Sequence, residues 1–127
     1  MLRKIRNEKG FTLIEIIAVL VILGILAASA VPKYISLQEE ARKNAAQAAI
    51  GEVKARASQY YALKTLRTGA PPTVTAVLTS VGAVPDVGND FTVAAADDGS
   101  SNIKITVSHV KNVEVSPNVI STWMYPR

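Results

Sequence analysis

The chain has 127 residues, enough for one domain, and a formal net charge of +4 at pH 7. It has no cysteine, which excludes disulfides, zinc–thiolate sites and a thiol nucleophile. Most of the positive charge lies in the first ten residues, and no Lys/Arg stripe with interleaved aromatics follows. The sequence therefore gives no direct evidence for a nucleic acid among its partners.

An apolar run follows this basic start, from Phe11 to Val31. As an α-helix it would span about 31 Å, close to the roughly 30 Å hydrocarbon core of a bilayer. Glu15 is its only ionisable residue. A charge within a membrane segment is costly and indicates a functional role. The basic residues before the run predict a cytoplasmic N-terminus, with the rest of the chain outside the membrane.

Two interpretations of this segment need no family knowledge. A secretory signal peptide is supported by the basic start, the apolar centre and the small-x-small site Ala28-Ser29-Ala30. It leaves Glu15 unexplained, because an apolar signal sequence has no use for a carboxylate. The second interpretation is an ordinary membrane anchor in which Glu15 is incidental.

A third interpretation comes from a resemblance to the type IV pilin family, which includes the pseudopilins of type II secretion. The residues that match are Lys9-Gly10-Phe11-Thr12-Leu13-Ile14-Glu15, Gly24 and Pro32. The stretch from Ala30 to Gln38, followed by Ala41-Arg42, is most similar to the mannose-sensitive haemagglutinin branch of type IVa-like major pilins. The resemblance covers about the first half of the chain.

The resemblance implies that residues 1–10 are a leader peptide. A prepilin peptidase on the cytoplasmic face would cleave between Gly10 and Phe11, and the new amine of Phe11 would be N-methylated. The helix would remain part of the mature subunit. The subunit would be anchored in the inner membrane before assembly and would then enter a helical homopolymer on the cell surface. The implied partners are other copies of the chain, the peptidase, an assembly ATPase with its membrane platform, and a secretin where an outer membrane exists.

Simple electrostatics agrees with this interpretation. In a dry filament core an unpaired Glu15 would cost several kcal/mol, and an ammonium at Phe11 of a neighbouring subunit would compensate for it. The four-residue offset between the two residues is about one helical turn, or roughly 6 Å. We therefore expect Glu15 and Phe11 of adjacent subunits to pair and to set the register of assembly.

Gly24 and Pro32 weaken the helix in which they stand. Glycine costs about 1 kcal/mol in a helix interior and proline about 3 kcal/mol. The family resemblance implies that the stretch from Gly24 to Pro32 loses helical structure when the subunit enters a filament. A simple kink at Pro32 is an equally good interpretation of the residues themselves.

Beyond Pro32 the chain becomes amphipathic. Apolar residues recur at helical spacing from Leu37 to Tyr61, and the helix is expected to end near Leu66, since Gly69 and two prolines follow. A short helix is expected at 73–80. Period-two alternation then predicts three antiparallel strands, the last ended by Ser116-Pro117-Asn118, with 119–123 as a fourth edge segment or a tail.

The predicted fold class is α+β, with a long N-terminal helix packed on a small antiparallel β-meander. The domain assignment is a leader (1–10), a transmembrane or filament-core half of the helix (11–33), an amphipathic half (34–66) and a globular head (67–127). Many type IV pilins carry a cysteine pair near the C-terminus, and this chain does not.

Other residues offer little chemistry. His109 is the only histidine, and no catalytic arrangement surrounds it. The acidic residues between Asp86 and Asp98 do not have the spacing of a calcium loop, so no metal or cofactor is expected. Trp123 and Tyr125 are candidates for a subunit interface or a recognition surface.

These observations predict that the protein is not an enzyme. They favour a structural subunit of a type IV pilus, assembled through its N-terminal helix after leader cleavage. The alternative is a pseudopilin of a type II secretion system.

Overall fold

A computed structural model describes residues 10–126, so residues 1–9 of the predicted leader lie outside the described part. The elements, in chain order, are α1 (Leu13–Thr68), α2 (Val74–Val81), β1 (Phe91–Asp97), β2 (Ile103–Val110) and β3 (Val113–Trp123). The three strands form one antiparallel sheet in the order β1-β2-β3. The predicted α+β class is confirmed. Internal contacts divide the chain into two units, with the boundary between Leu37 and Gln38.

The N-terminal unit contains the first part of α1. Its described side chains are all exposed, and an 18-residue window has a mean hydropathy of 2.7. The helix continues without interruption through Gly24 and Pro32. By length and composition it is a candidate membrane span.

The second unit begins within α1 and ends near the C-terminus. α1 ends at Thr68, two residues beyond the expected position. Gly69 follows with φ +70°, and its N–H donates to the carbonyl oxygen of Thr65 at 2.9 Å. Glycine adopts this left-handed conformation without the steric cost of a Cβ, so the helix stops here.

The core of this unit lies between α1 and the sheet. Its helix side consists of small and β-branched residues at positions i, i+3, i+4, i+7 and i+11 of α1: Ala46, Ala49, Ile50, Val53 and Ala57. Its sheet side consists of the buried strand residues Val93, Ala95, Ile103, Ile105, Val107, Val110, Val115 and Trp123. The predicted stripe was too long at its start, because Leu37 and Ala41 are exposed. The buried stripe of α1 begins only near Ala45 and Ala46.

The short helix α2 begins one residue later than expected. Thr73 is its N-cap, and the Thr73 side-chain oxygen accepts a hydrogen bond from the Ala76 N–H at 3.2 Å. Threonine favours this position because its oxygen satisfies a backbone donor that the first turn leaves unpaired. Val77 is fully buried and joins α2 to the core that includes β1.

The third strand differs from the expectation. β3 does not end at Ser116 but continues to Trp123, so 119–123 belongs to the same strand. Val107 of β2 pairs with Val119 of β3, and the next pair joins His109 to Glu114. Between these two pairs β2 has one residue and β3 has four. The additional residues of β3 form a bulge that contains Pro117. Because proline has no N–H for the ladder, a bulge accommodates it without ending the strand.

The C-terminal residues pack on α1. Trp123 is only 5% exposed, and its Nε1–H donates to Ser58 Oγ at 2.9 Å. Tyr61, Trp123 and Tyr125 form three edge-to-face pairs, with ring centroids 5.4–6.3 Å apart. The Tyr125 hydroxyl donates to the Pro72 carbonyl oxygen at 2.5 Å. Trp123 is therefore a core residue, and its assignment to an exposed interface or recognition surface was wrong.

The Trp123→Ala substitution tests this packing. We expect a loss of about 3–5 kcal/mol in the free energy of unfolding, because a large aromatic side chain leaves a cavity. Urea unfolding of the detergent-solubilised chain, followed by the near-ultraviolet circular dichroism of tyrosine, measures it. Val84→Ala is the control, since Val84 is 76% exposed; a change within about 0.5 kcal/mol is expected there. A loss of under ~1 kcal/mol for Trp123→Ala would contradict the assignment.

The turn between β1 and β2 is built around Asp98. Its carboxylate accepts hydrogen bonds from the backbone N–H groups of Ser100, at 2.7 Å, and Asn102, at 3.2 Å. The bond from Ser100 is the main reason that the pKa of Asp98 lies below its ordinary value of 3.8, because it favours the charged carboxylate.

Because the pKa of Asp98 is lower in the folded than in the unfolded state, its carboxylate stabilises the folded state. This contribution to the free energy of unfolding is present above pH 3.8 and is lost as the pH falls through the lowered pKa. We expect the carboxyl carbon of Asp98 to titrate below 3.8 in an NMR pH series. Asp98→Asn identifies the signal and should flatten the acid-induced loss of stability. A midpoint at or above 3.8 would show that the turn does not hold the charged form.

Candidate functional site

The predicted processing and assembly residues lie where α1 begins. Gly10 is exposed, and Phe11 is 85% exposed. Both residues precede the first helical residue, Leu13, so the bond between them lies outside the helix and between exposed residues. In the uncleaved chain the nitrogen of Phe11 is an amide, and only hydrolysis of the Gly10–Phe11 bond would convert it to an amine.

Thr12 and Glu15 form a reciprocal cap at the start of α1. The Thr12 N–H donates to Glu15 Oε2 at 2.8 Å, and the Thr12 hydroxyl donates to the same oxygen at 2.9 Å. The Glu15 N–H donates in turn to Thr12 Oγ1 at 3.3 Å. This arrangement is a capping box, in which a threonine and a glutamate three residues later satisfy each other's backbone donors.

The cap gives Glu15 a second role beside the predicted one. The carboxylate lies in the first turn of α1, where the positive end of the helix dipole favours a negative charge. Within the described residues, its hydrogen bonds reach Oε2 only. The arrangement can therefore hold the carboxylate at the helix start and still present Oε1 to a cation.

The capping position of Thr12 is not among the roles predicted from the sequence, although Thr12 lies within the motif from Lys9 to Glu15. The signal was present, because Thr-x-x-Glu before an apolar run is the sequence pattern of a capping box. Glu15 therefore carries a charge and also accepts a backbone hydrogen bond.

The pairing of Glu15 with Phe11 requires two chains and a cleaved N-terminus, so it remains a prediction. The same is true of helix loss or a kink between Gly24 and Pro32. A Cβ added at Gly24 would meet nothing within 4 Å, so packing within this chain does not require glycine there.

Other candidate residues do not form a site. His109 is partly buried on β2, and its Nδ1 lies 3.1 Å from Ser108 Oγ. Among residues 10–126 no group of three or more histidine, aspartate or glutamate side chains is arranged to hold a metal ion. The predicted site residues with a defined hydrogen-bond arrangement therefore lie at the start of α1.

Comparison with known proteins identifies one family model and three relatives. The family model for the prokaryotic N-terminal methylation motif matches residues 5–31. Type II secretion system core protein G from Pseudomonas aeruginosa is 49% identical over 53 residues, covering 42% of this chain and 35% of that protein. Its counterpart from Dickeya chrysanthemi is 44% identical over 54 residues, covering 42% and 33%. No solved structure matches the chain.

A longer match includes the head. The type IV narrow pilus major component PilA5 of Thermus thermophilus is 33% identical over 102 residues, which cover 80% of this chain and 82% of that protein. None of these three relatives is named as an enzyme. The match extends well beyond the methylation motif and is accompanied by the long apolar helix and small antiparallel sheet. The chain therefore belongs to the type IV pilin family.

Proposed function

We propose that the chain is a structural subunit of an extracellular type IV pilus, assembled through α1 after a prepilin peptidase removes residues 1–10. The observation that carries this proposal is the similarity to a pilus major component over 80% of the chain, helix and head together. The exposed apolar start of α1 supports it, because such a surface needs lipid or other helices around it.

Before assembly, the apolar part of α1 would lie in the inner membrane with the basic N-terminus in the cytoplasm. After assembly, the same surface would face the helices of neighbouring subunits. The chain's partners would then be other copies of itself, the peptidase, an assembly ATPase and its membrane platform. Adhesion, motility, DNA uptake and electron transfer are all compatible tasks for such a filament.

Glu15 has a different partner at each stage of this scheme. In the single chain, Thr12 satisfies part of its hydrogen-bonding capacity. In the filament, the N-methylated amine of Phe11 from a neighbouring subunit would supply the positive charge. The cap holds the carboxylate at the helix start, so less side-chain freedom is lost when the ion pair forms.

A pseudopilin of a type II secretion system is the alternative, favoured by the 49% identity to core protein G over 53 residues. That match covers only 35% of the relative. Long surface fibres composed of this chain would support the pilus. Folding of the head that depends on calcium would support the pseudopilin.

The N-terminus of the mature protein distinguishes leader processing from signal-peptide removal. We expect purified surface filaments to contain a chain that begins with N-methylated Phe11, as measured by mass spectrometry of the N-terminal peptide. Signal peptidase would instead produce a chain that begins at Val31, just after Ala28-Ser29-Ala30. A mature chain that begins at Val31 would overturn the proposal.

Three variants separate the charge of Glu15 from its capping role. Glu15→Ala removes both, Glu15→Gln removes the charge but retains a capping side chain, and Thr12→Ala removes the cap but retains the charge. We expect all three to enter the membrane. Both Glu15 variants should lose at least about tenfold in filament yield, since an unpaired buried ammonium at Phe11 costs several kcal/mol.

Glu40→Ala is the matched control, because Glu40 is an exposed glutamate farther along the same helix. It should assemble normally, and Thr12→Ala should assemble better than Glu15→Gln. Sheared-filament yield, relative to the chain in the membrane, is the measurement. If Glu15→Gln assembled like the unmodified chain while Thr12→Ala failed, the cap would be essential and the ion pair would be wrong.

A further inference from the structure

Two cavities of about 230 and 270 Å³ lie between α1 and β3 in the unit that begins at Gln38. The β3 side is formed by residues 113–116 and 119–121. The helix side is mainly one stripe of residues three or four apart: Glu39, Lys43, Gln47, Gly51 and Lys54. We refer to this feature as the α1–β3 groove.

Gly51 is exposed and lines the cavity beside Ile120. A Cβ at this position would meet nothing within 4 Å, so the fold of this chain does not require glycine. Glycine nevertheless costs about 1 kcal/mol in a helix interior relative to alanine. Ile120 lines the same cavity and is 52% exposed. The groove therefore offers apolar surface and free space to a group from outside the chain.

The two edges of the sheet are unequal. β1 is covered in part by the chain itself, because the Ala95 N–H donates to the Ala83 carbonyl oxygen at 2.8 Å. β3 is the other edge, and the sheet has no further strand beside it within residues 10–126. The bulge with Pro117 interrupts its first half, whereas its second half pairs regularly with β2 up to Trp123. Only this second half offers a regular, unprotected strand edge.

Residues 82–90, which we call the 82–90 loop, cover part of β1 and complement the α1–β3 groove. Val84 at its tip is 76% exposed. The loop contains Asp86 and Asp90 but no basic residue. Arg56 Nη1 donates to the Asp86 carbonyl oxygen at 2.7 Å, and Asp86 Oδ1 accepts from the Gly88 N–H at 3.0 Å, so the loop is held in place.

We propose that the 82–90 loop of one subunit docks in the α1–β3 groove of the next, with Val84 against Ile120 above Gly51. This inference rests on the proposed filament. A helical homopolymer needs two different patches that complement each other, because each subunit uses one patch toward the preceding copy and the other toward the next. The loop and the groove lie at opposite edges of the sheet, as such a contact requires.

Charge supports the same pairing. Lys54 is the charged residue that lines the cavity beside Ile120, whereas the other cavity balances Arg42 and Lys43 against Glu39 and Glu114. Asp86 of the incoming loop, two residues from Val84, would meet Lys54. Lys54 Nζ already donates to Ser121 Oγ at 2.7 Å, which fixes its amino group beside Ile120. Complementary charge of this kind contributes orientation and specificity more than affinity.

Disulfide cross-linking tests the contact, because the chain has no cysteine of its own. The double variant Val84→Cys/Ile120→Cys is assembled under reducing conditions, and sheared filaments are then oxidised. A gel without reductant should show a ladder of covalent multimers. An internal disulfide is excluded, since opposite edges of a three-stranded sheet lie about 10 Å apart and a disulfide needs Cα atoms within about 7 Å.

Two controls accompany the cross-linking experiment. Either single cysteine variant should give no ladder, because the contact joins two different patches. The pair Val84→Cys/Lys104→Cys should also give none, since Lys104 is exposed on the central strand outside the groove. Filaments that contain both Val84→Cys and Ile120→Cys but give no ladder would overturn the docking contact and leave the pilus function intact. Absence of filaments from the unmodified chain would overturn the pilus function itself.

Substitutions at Gly51 provide a second test that needs no cysteine. Gly51→Ala should assemble normally, because a methyl group leaves the groove open. Gly51→Trp fills the groove and should lower filament yield at least tenfold, while a urea unfolding midpoint close to that of the unmodified chain shows a folded head. Unchanged assembly of a folded Gly51→Trp variant would show that the groove stays empty in the filament and would overturn the inference.

Discussion

A carboxylate at the start of an apolar helix must have polar partners, and this requirement organises the N-terminal half of the molecule. Thr12 supplies two hydrogen bonds to Glu15 in the single chain. The helix start also favours the negative charge through its dipole. Cleavage before Phe11 would create an amine close to this cap. One short motif can thus serve membrane insertion, helix initiation and, in the proposed filament, the pairing of neighbouring subunits.

The head is stabilised by different means. Its helix surface consists of residues small enough for the sheet to approach closely, such as Ala46 and Ala49. Without cysteine, the C-terminal residues are held by packing and hydrogen bonds, above all those of Trp123 and Tyr125. Small domains have little apolar area to bury, so each such contact contributes a large share of the total stability.

The sheet has unequal edges, and the reason is the path of the chain. The connection between α2 and β1 passes along β1 and protects it, whereas residues 10–126 contribute no further strand beside β3. An edge that is both regular and uncovered is a hazard for a free protein. For a subunit that we propose to polymerise, such an edge is a natural place for contact with another copy.

The sequence by itself determined the long helix, its apolar start, the α+β class and the family, because periodicity, charge placement and a specific motif are local properties. The tertiary structure alone decided the course of β3. Pro117 predicts a strand end from the sequence, whereas in the structure a bulge accommodates it and the strand continues. The tertiary structure also decided the burial of Trp123 and the open space at Gly51. These features depend on contacts between residues that are far apart in the sequence, and the order of the residues alone does not specify those contacts.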